Sequence, residues 1–333
     1  MKSDSEISIG TLDKRYTLIE MLGDGSSSQV YKVKDSFSNK IYAAKVFIKN
    51  IELIEKEIEN NKIISQNIST EFPNFIKYIT SSVGPFELKN DTPKTKAYII
   101  FELGTKGALI DYFTCTKEHL DERLIKLIFI KIVKAVKYLH KLGLCHRDLK
   151  ADNIALSGDE FIIKLLDFGV SSKIIKNNNG RTRYQTGKVG TKEYEAPEII
   201  KGIPYDGEKA DIFSLGVILF NLRTGLKGFK IAKCYSSYQI KAPSDLLYNL
   251  IRDNNYEIYW KLIEKCLDLN VNDLSDQFKK LYLKMVAYNP KERPALDEII
   301  NDAYFDDIKG EDQLQILEHE MIKESRKRET LIK

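Results

Sequence analysis

Three stretches of this sequence carry side chains able to do chemistry. HRDLKADN, residues 146–153, brings Asp148, Lys150 and Asn153 close together. DFG, residues 167–169, adds Asp167. Far upstream, LGDGSSSQV (residues 22–30) sets Gly23 and Gly25 ahead of Lys45, which stands in YAAKVF fifteen residues past Val30. A glycine-rich turn followed by a strand lysine can cradle the phosphates of a nucleotide. It can equally be a soft hairpin tip beside a surface lysine, because short glycine motifs match many unrelated loops. Carboxylates and a carboxamide at this spacing can supply hard oxygen ligands or a base. The same residue types also cap turns, and Gly169 alone reads as a turn glycine.

The elements that must position these residues change character along the chain. RYTLIEML, QVYKVKD and KIYAAKVFI alternate in polarity and are rich in β-branched and aromatic residues, which predicts three antiparallel strands across 15–49. From Asn50 to about Ile68 the period becomes helical, with Ile54 and Ile58 on one face. Strands are expected again near 75–83 and 97–102. From Leu109 the pattern is mostly helical, and LIKLIFIKIVKAVKYLHKL (124–142) reads as a long buried helix. A strand-rich part followed by a helical part predicts an α+β, two-lobed protein. The expected division is an extension at 1–14, a domain at 15–305 with lobes 15–101 and 102–305, and a charged helical tail at 306–333.

Composition sets the bounds. The 333 residues carry 52 basic and 48 acidic side chains, a formal charge of +4, which gives no reason to expect nucleic acid or a membrane as partner. Cys115, Cys145, Cys234 and Cys266 are scattered, with no Cys-x-x-Cys pair, and so fit a reducing compartment. MKSDSEIS lacks the apolar core of a signal peptide, and Lys2 excludes N-myristoylation. The expected location is the cytoplasm, with nuclear access open.

In order, Gly23/Gly25, Lys45, HRDLKADN, DFG and APE (196–198) resemble the eukaryotic protein kinase family over residues 15–305. The serine/threonine type is indicated by Lys150 and by Thr191 in GTKEYEAPE, with the calcium/calmodulin-dependent kinase-like group a possible near relation. The resemblance implies ATP and Mg²⁺ as cofactors and proteins as substrates. It casts Asp148 as catalytic base, Lys150 beside the moving phosphoryl group, and Lys45 on the α- and β-phosphates. Lys45 would be steadied by Glu57, with Glu59 in reserve. Asn153 and Asp167 would hold Mg²⁺. The nucleotide would meet Leu22, Gly23, Gly25, Val30, Ala43, Lys45, the hinge residues Glu102 and Leu103, and Ala155. Asp211 resembles the aspartate that anchors the catalytic loop. Arg293 resembles the partner of Glu198, a tie that argues for a protein substrate.

Departures from the family pattern are as informative. Ser28 replaces the third glycine and Ser27 the aromatic tip. Asn61 stands where an apolar residue is usual, which predicts weakened packing of that helix and a need for a partner or phosphorylation. Ala155 is smaller and Leu166 larger than usual, and the two are expected to compensate in volume. Phe101 would be a bulky gatekeeper. Arg147 implies activation-loop phosphorylation, by an upstream kinase or by autophosphorylation, at Thr186 or else Thr182, since the usual phosphosite falls on Gly187. Ala108, Asp152 and Asn221 offer one acid in three places, so at most a mild preference for basic substrates. Leu314, Leu317 and Met321 share a face ahead of KESRKRE, which could dock on the domain or bind a calmodulin-like regulator. The alternative function is an ATP-binding pseudokinase or scaffold.

Overall fold

The computed structural model describes residues 10–25, 28–47, 51–69, 73–86, 95–104, 107–114, 120–157, 162–175, 185–225, 243–268 and 270–332. The chain divides into two compact units, 1–105 and 106–333.

The first unit is built on a six-stranded sheet in the order β1-β2-β3-β4-β6-β5. Its strands are β1 (Gly10–Leu12), β2 (Tyr16–Asp24), β3 (Ser28–Asp35), β4 (Ile41–Phe47), β5 (Tyr78–Phe86) and β6 (Thr95–Glu102), and helix α1 spans Ile51–Gln66. Every pairing is antiparallel. The period of two sorts side chains onto two faces. Tyr98 and Ile100 join Leu12, Leu18, Val33 and Val46 in one cluster. Ala97 and Ile99, on the other face of the same strand, join Phe47 and the α1 residues Ile54 and Ile58. β6 is therefore buried on both faces, which its run AYII permits.

β1 lies in the stretch expected to be an extension. Leu12 is fully buried, and Asp13 and Lys14 take positive φ (49° and 55°) to turn the chain back into β2. The turn after β3 is closed by Asp35, which accepts both Nε and Nη2 of Arg15 (2.9 and 3.0 Å) and the hydroxyl of Ser38.

The second unit is mainly helical. α2 (Leu109–Thr114) and α3 (Glu122–Lys141) come first, and Asp121 caps α3 by accepting the amide of Arg123. Two small ribbons follow. β7 (Leu144–Cys145) pairs with β10 (Ser172–Lys173), and β8 (Ile154–Ser157) pairs with β9 (Ile162–Leu165). They bracket the 146–153 loop and DFG. α4 (Pro197–Ile200) leads into α5 (Gly207–Thr224), in which every residue from Ala210 to Leu222 is buried. A helix buried all round belongs at the centre of a unit, and α6 (Pro243–Arg252), α7 (Tyr256–Leu267), α8 (Asp276–Met285) and α9 (Leu296–Ile300) complete the body around it.

The tail is not a frayed end. Tyr304, Phe305 and Ile308 are buried, Phe305 stacks on Phe129 (6.1 Å between centroids), and Lys126 grips Asp307 at 2.8 Å. α10 (Glu311–Ile332) then packs on α3 and α2. Leu317 and Met321 are fully buried, Ser325 and Arg328 nearly so, and Lys131 meets Glu318 at 2.6 Å. The apolar face read from the sequence is thus covered by the unit's own helices; Leu314 on that face is half-buried. No helix among the described residues is long and apolar enough to cross a membrane.

Candidate active site

In the first unit, β2 and β3 form the glycine-rich hairpin. Gly23 pairs with Val30, and the β2–β3 register shifts between Met21 and Gly23. The amide of Gly25 donates to the carbonyl of Ser28 at 2.9 Å, and a Cβ on Gly25 would lie 3.1 Å from that oxygen, so a larger residue would push the turn open by a few tenths of an ångström. Leu22 is exposed, Ser28 buried, and Ser27 lies outside the described residues. Val30 lies opposite Lys45 on β4, and Ala43 opposite Phe101 on β6.

Lys45 Nζ lies 2.7 Å from Glu57 Oε1, with the two side chains 12% and 4% exposed. Glu59 is exposed on another face of α1. Asn61, one turn beyond Glu57, is buried, and its Nδ2 donates to the Glu57 carbonyl at 2.9 Å. Its amide nitrogen is therefore partnered by its own helix. Glu102 ends β6, accepting the Lys77 amide at 2.9 Å on its side chain, and Leu103 follows half-buried.

In the second unit, Asp211 sits fully buried on α5 and accepts the backbone amides of His146 (2.8 Å) and Arg147 (2.7 Å). His140, on the last turn of α3, adds Nε2 at 2.8 Å. Three donors on one buried carboxylate fix the loop at its root, and charge-assisted bonds of this kind are the strong ones. Arg147 and Asp167 both hold positive φ (66° and 57°), a conformation that costs non-glycine residues about 1–3 kcal/mol and persists where surroundings enforce it.

Asp148 is held from three sides. Thr191 Oγ1 donates to its Oδ1 at 2.7 Å, Asn153 Nδ2 to its Oδ2 at 3.1 Å, and Lys150 Nζ lies 3.3 Å from Oδ2. Lys150 also donates to Thr191 Oγ1 at 2.7 Å. Gly190 makes room for this: at φ 109°, a Cβ there would stand 2.7 Å from the Arg147 carbonyl. Asn153 uses its amide nitrogen on Asp148, also at the carbonyl (2.9 Å), which leaves its carboxamide oxygen as the atom for a hard cation. Asp167 is exposed and accepts the Gly169 amide at 3.2 Å. Ala155 is buried on β8 beside Ala108, and Leu166 donates its amide to the Asn153 carbonyl.

Glu198 and Arg293 form a buried bidentate pair at 2.6 and 2.8 Å. Around the loop, burial pushes the phenol of Tyr194 up, and it also raises the Glu195 carboxyl above its usual range. Asn221 is buried against the Tyr194 hydroxyl (3.4 Å), while Asp152 is exposed. His140 and Tyr205 were not singled out from the sequence; a histidine closing α3 six residues before His146 was the available signal. Thr186 is exposed, and Thr182 lies outside the described residues.

Residues 16–305 match the model of the protein kinase domain. The chain belongs to the protein kinase family. The kinase is 36% identical over 213 residues to the human SNF-related serine/threonine-protein kinase, covering 62% of this chain and 24% of that one. It is 32% identical over 259 residues to mouse testis-specific serine/threonine-protein kinase 2, covering 72% and 68%. To serine/threonine-protein kinase SRK2C of Arabidopsis thaliana it is 27% identical over 293 residues, covering 88% and 76%. The kinase thus spans about a quarter of the length of the SNF-related relatives it matches.

Proposed function

We propose that this kinase transfers the γ-phosphoryl group of ATP to serine or threonine hydroxyls of protein substrates. The observation that carries this is the three-sided hold on Asp148 by Thr191, Asn153 and Lys150. Phosphoryl transfer asks for positioning and charge neutralisation more than covalent help. The Asp148 carboxylate accepts the proton as the substrate oxygen bonds to phosphorus and the bond to the ADP oxygen breaks. Lys150 offers its ammonium to the charge on the moving group. In the first unit the Lys45 ammonium, aimed by Glu57, holds the α- and β-phosphates.

Asp167 and the carboxamide oxygen of Asn153 fit Mg²⁺, a hard cation that takes oxygen ligands from few side chains plus phosphates and water. When bound, Mg²⁺ supplies neutralisation of phosphate charge. Among the described residues no cluster of three His, Cys, Asp or Glu could hold a metal, and Mg²⁺ needs none. Leu22, Gly23, Gly25, Val30, Ala43, Glu102, Leu103 and Ala155 are the remaining nucleotide contacts in this proposal. Thr186, which is exposed, is the first candidate for autophosphorylation or an upstream kinase, and Thr182 the second by sequence alone. A calmodulin-like regulator of the tail would have to compete with α3 and α2 for Leu317 and Met321. The cytoplasm suits such an enzyme.

The test is phosphorylation of the chain itself and of a protein substrate with Mg-ATP, beside Asp148→Asn and Asp167→Asn. The expected result is turnover by wild type alone, with the base worth roughly 10²–10⁴ in kcat. Equal turnover by all three forms would overturn the assignment.

A further inference from the structure

Gln185 lies between Tyr184 and Thr186 in the segment that runs from DFG to APE, and it makes four hydrogen bonds. Its backbone amide donates to the Tyr205 carbonyl at 2.6 Å, and the Tyr205 amide donates back at 3.0 Å. Its side chain accepts the Ser172 hydroxyl at 2.7 Å and donates from Nε2 to the Lys173 carbonyl at 3.0 Å. Ser172 and Lys173 are β10, which pairs with Leu144 and Cys145 of β7, the strand that runs directly into His146 and Arg147. Tyr205, 2% exposed, accepts Nη1 of Arg147 at 3.1 Å, and Nε of Arg147 donates to the Val170 carbonyl at 2.8 Å. One glutamine therefore touches both neighbours of the catalytic loop, the strand after Asp167 and the tyrosine that holds Arg147.

Arg147 itself is only 8% exposed, with both of these oxygens supplied by the chain. The segment it would otherwise order through a phosphate offers no hydroxyl at Gly187, whose φ of 94° suits glycine. Thr186, the next candidate, is exposed. The ordering contact is made by an amide side chain, which needs no modification to form it.

We propose that Gln185 is a positioning residue that ties the stretch beginning at residue 185 to β10 and Tyr205 beside the catalytic loop, so that turnover does not require phosphate on Thr182 or Thr186. Phosphate there tunes contacts that Gln185 already makes rather than creating them. This rests on the kinase activity proposed above, and the experiment separates the two.

The full chain is co-expressed with a phosphatase, its dephosphorylated state is verified by mass spectrometry, and it is assayed with Mg-ATP on casein and myelin basic protein. The variants are Thr182→Ala/Thr186→Ala, Gln185→Ala and Asp167→Asn. The expected result is that the dephosphorylated chain and the double threonine variant turn over within about threefold of chain preincubated with ATP. Gln185→Ala loses roughly tenfold or more in kcat, because two side-chain bonds go, while its KM for ATP stays within about twofold. Ser172→Ala, which removes one of those bonds from the other side, causes a smaller loss that does not add to that of Gln185→Ala.

Dephosphorylation that abolishes activity, with recovery on phosphorylation of Thr186 or Thr182, overturns the lock and leaves the kinase assignment standing. A Gln185→Ala variant with wild-type kcat overturns it too, as does a loss of kcat matched by a fall in the unfolding midpoint. Turnover no higher than that of Asp167→Asn in every form, phosphorylated or not, overturns the kinase assignment itself and the lock with it.

Discussion

Replacing Arg293 by alanine tests the pairing that ties α4 to the loop before α9. The guanidinium is fully buried; it binds both oxygens of Glu198 and also donates to the carbonyls of Ala287 and Lys209, each at 2.9 Å. It lies 5.1 Å over the ring of Phe213. Arg293→Ala strands the Glu198 carboxylate, 5% exposed, without its cation. Breaking one side of a buried pair costs about 3–5 kcal/mol. For a body of this size a kilocalorie shifts the midpoint by roughly 2–4 °C, so the expected fall is about 6–20 °C. The single tryptophan, Trp260, packs against Tyr259 and Tyr282 in the second unit, so its fluorescence reports unfolding there. Glu198→Leu alone strands the cation and should cost about as much. Arg293→Met/Glu198→Leu removes both charges and leaves two carbonyls short of a donor, at about 1–3 kcal/mol each. Taking the middle of each range, the double variant should be about 4 kcal/mol more stable than the losses of Arg293→Met and Glu198→Leu added together. A double variant as unstable as that sum would refute the reasoning that the orphaned charge dominates.

Three further outcomes are expected. Arg15 beside Asp35 holds that carboxyl well below the usual carboxylate range. Its contribution to stability is thus complete above the unfolded value of about 3.9 and is lost as pH falls through the depressed folded value. Thermal unfolding at stepped pH should show Asp35→Asn less stable than wild type at pH 5–8, with the gap closing in acid; a gap that widens in acid would contradict the pairing. Burial pushes the Cys145 thiol up to about 12, whereas Cys266 is exposed. Mass-spectrometric mapping after brief alkylation of the native chain should find Cys266 labelled and Cys145 labelled only after denaturation. Deleting 311–332 uncovers the α3 surface now packed on Leu317 and Met321, so it should increase binding of a hydrophobic dye and lower the Trp260 midpoint. An unchanged midpoint would mean the helix is held too weakly to matter.

Much of the candidate site's geometry was legible because it is local. HRDLKADN and DFG each hold their candidate residues within a few positions, and the strand alternation around Lys45 follows from residue type. The helical period separates Glu57 from Glu59 by more than half a turn, so only one of them shares a face with the Ile54 and Ile58 stripe. What escaped was set by distant partners. The bond from Asn61 to the Glu57 carbonyl cannot be read from residue type. Leu12 gives no sign that three residues suffice for a strand, since its pairing with Tyr16 depends on the two left-handed residues, Asp13 and Lys14, between them. Gln185 and Tyr205 carry no motif; their value lies in two backbone bonds and in Arg147, 58 residues from Tyr205. The tail's polar helix looked marginal because its cover lies on α3, and Glu318 finds Lys131 187 residues away.

That separation has a meaning for how the protein is made. α3 emerges early from the ribosome with a face rich in Leu and Ile, yet two of the side chains that grip it, Asp307 and Glu318, are 181 and 187 residues downstream of their lysines. At about 5–20 residues per second, translation leaves that face waiting for roughly 10–40 seconds. During that interval the second unit is an unfinished body with an apolar helix on show. A chaperone that recognises such helices would find its substrate there, and slowing translation between residues 142 and 303 should lengthen its stay.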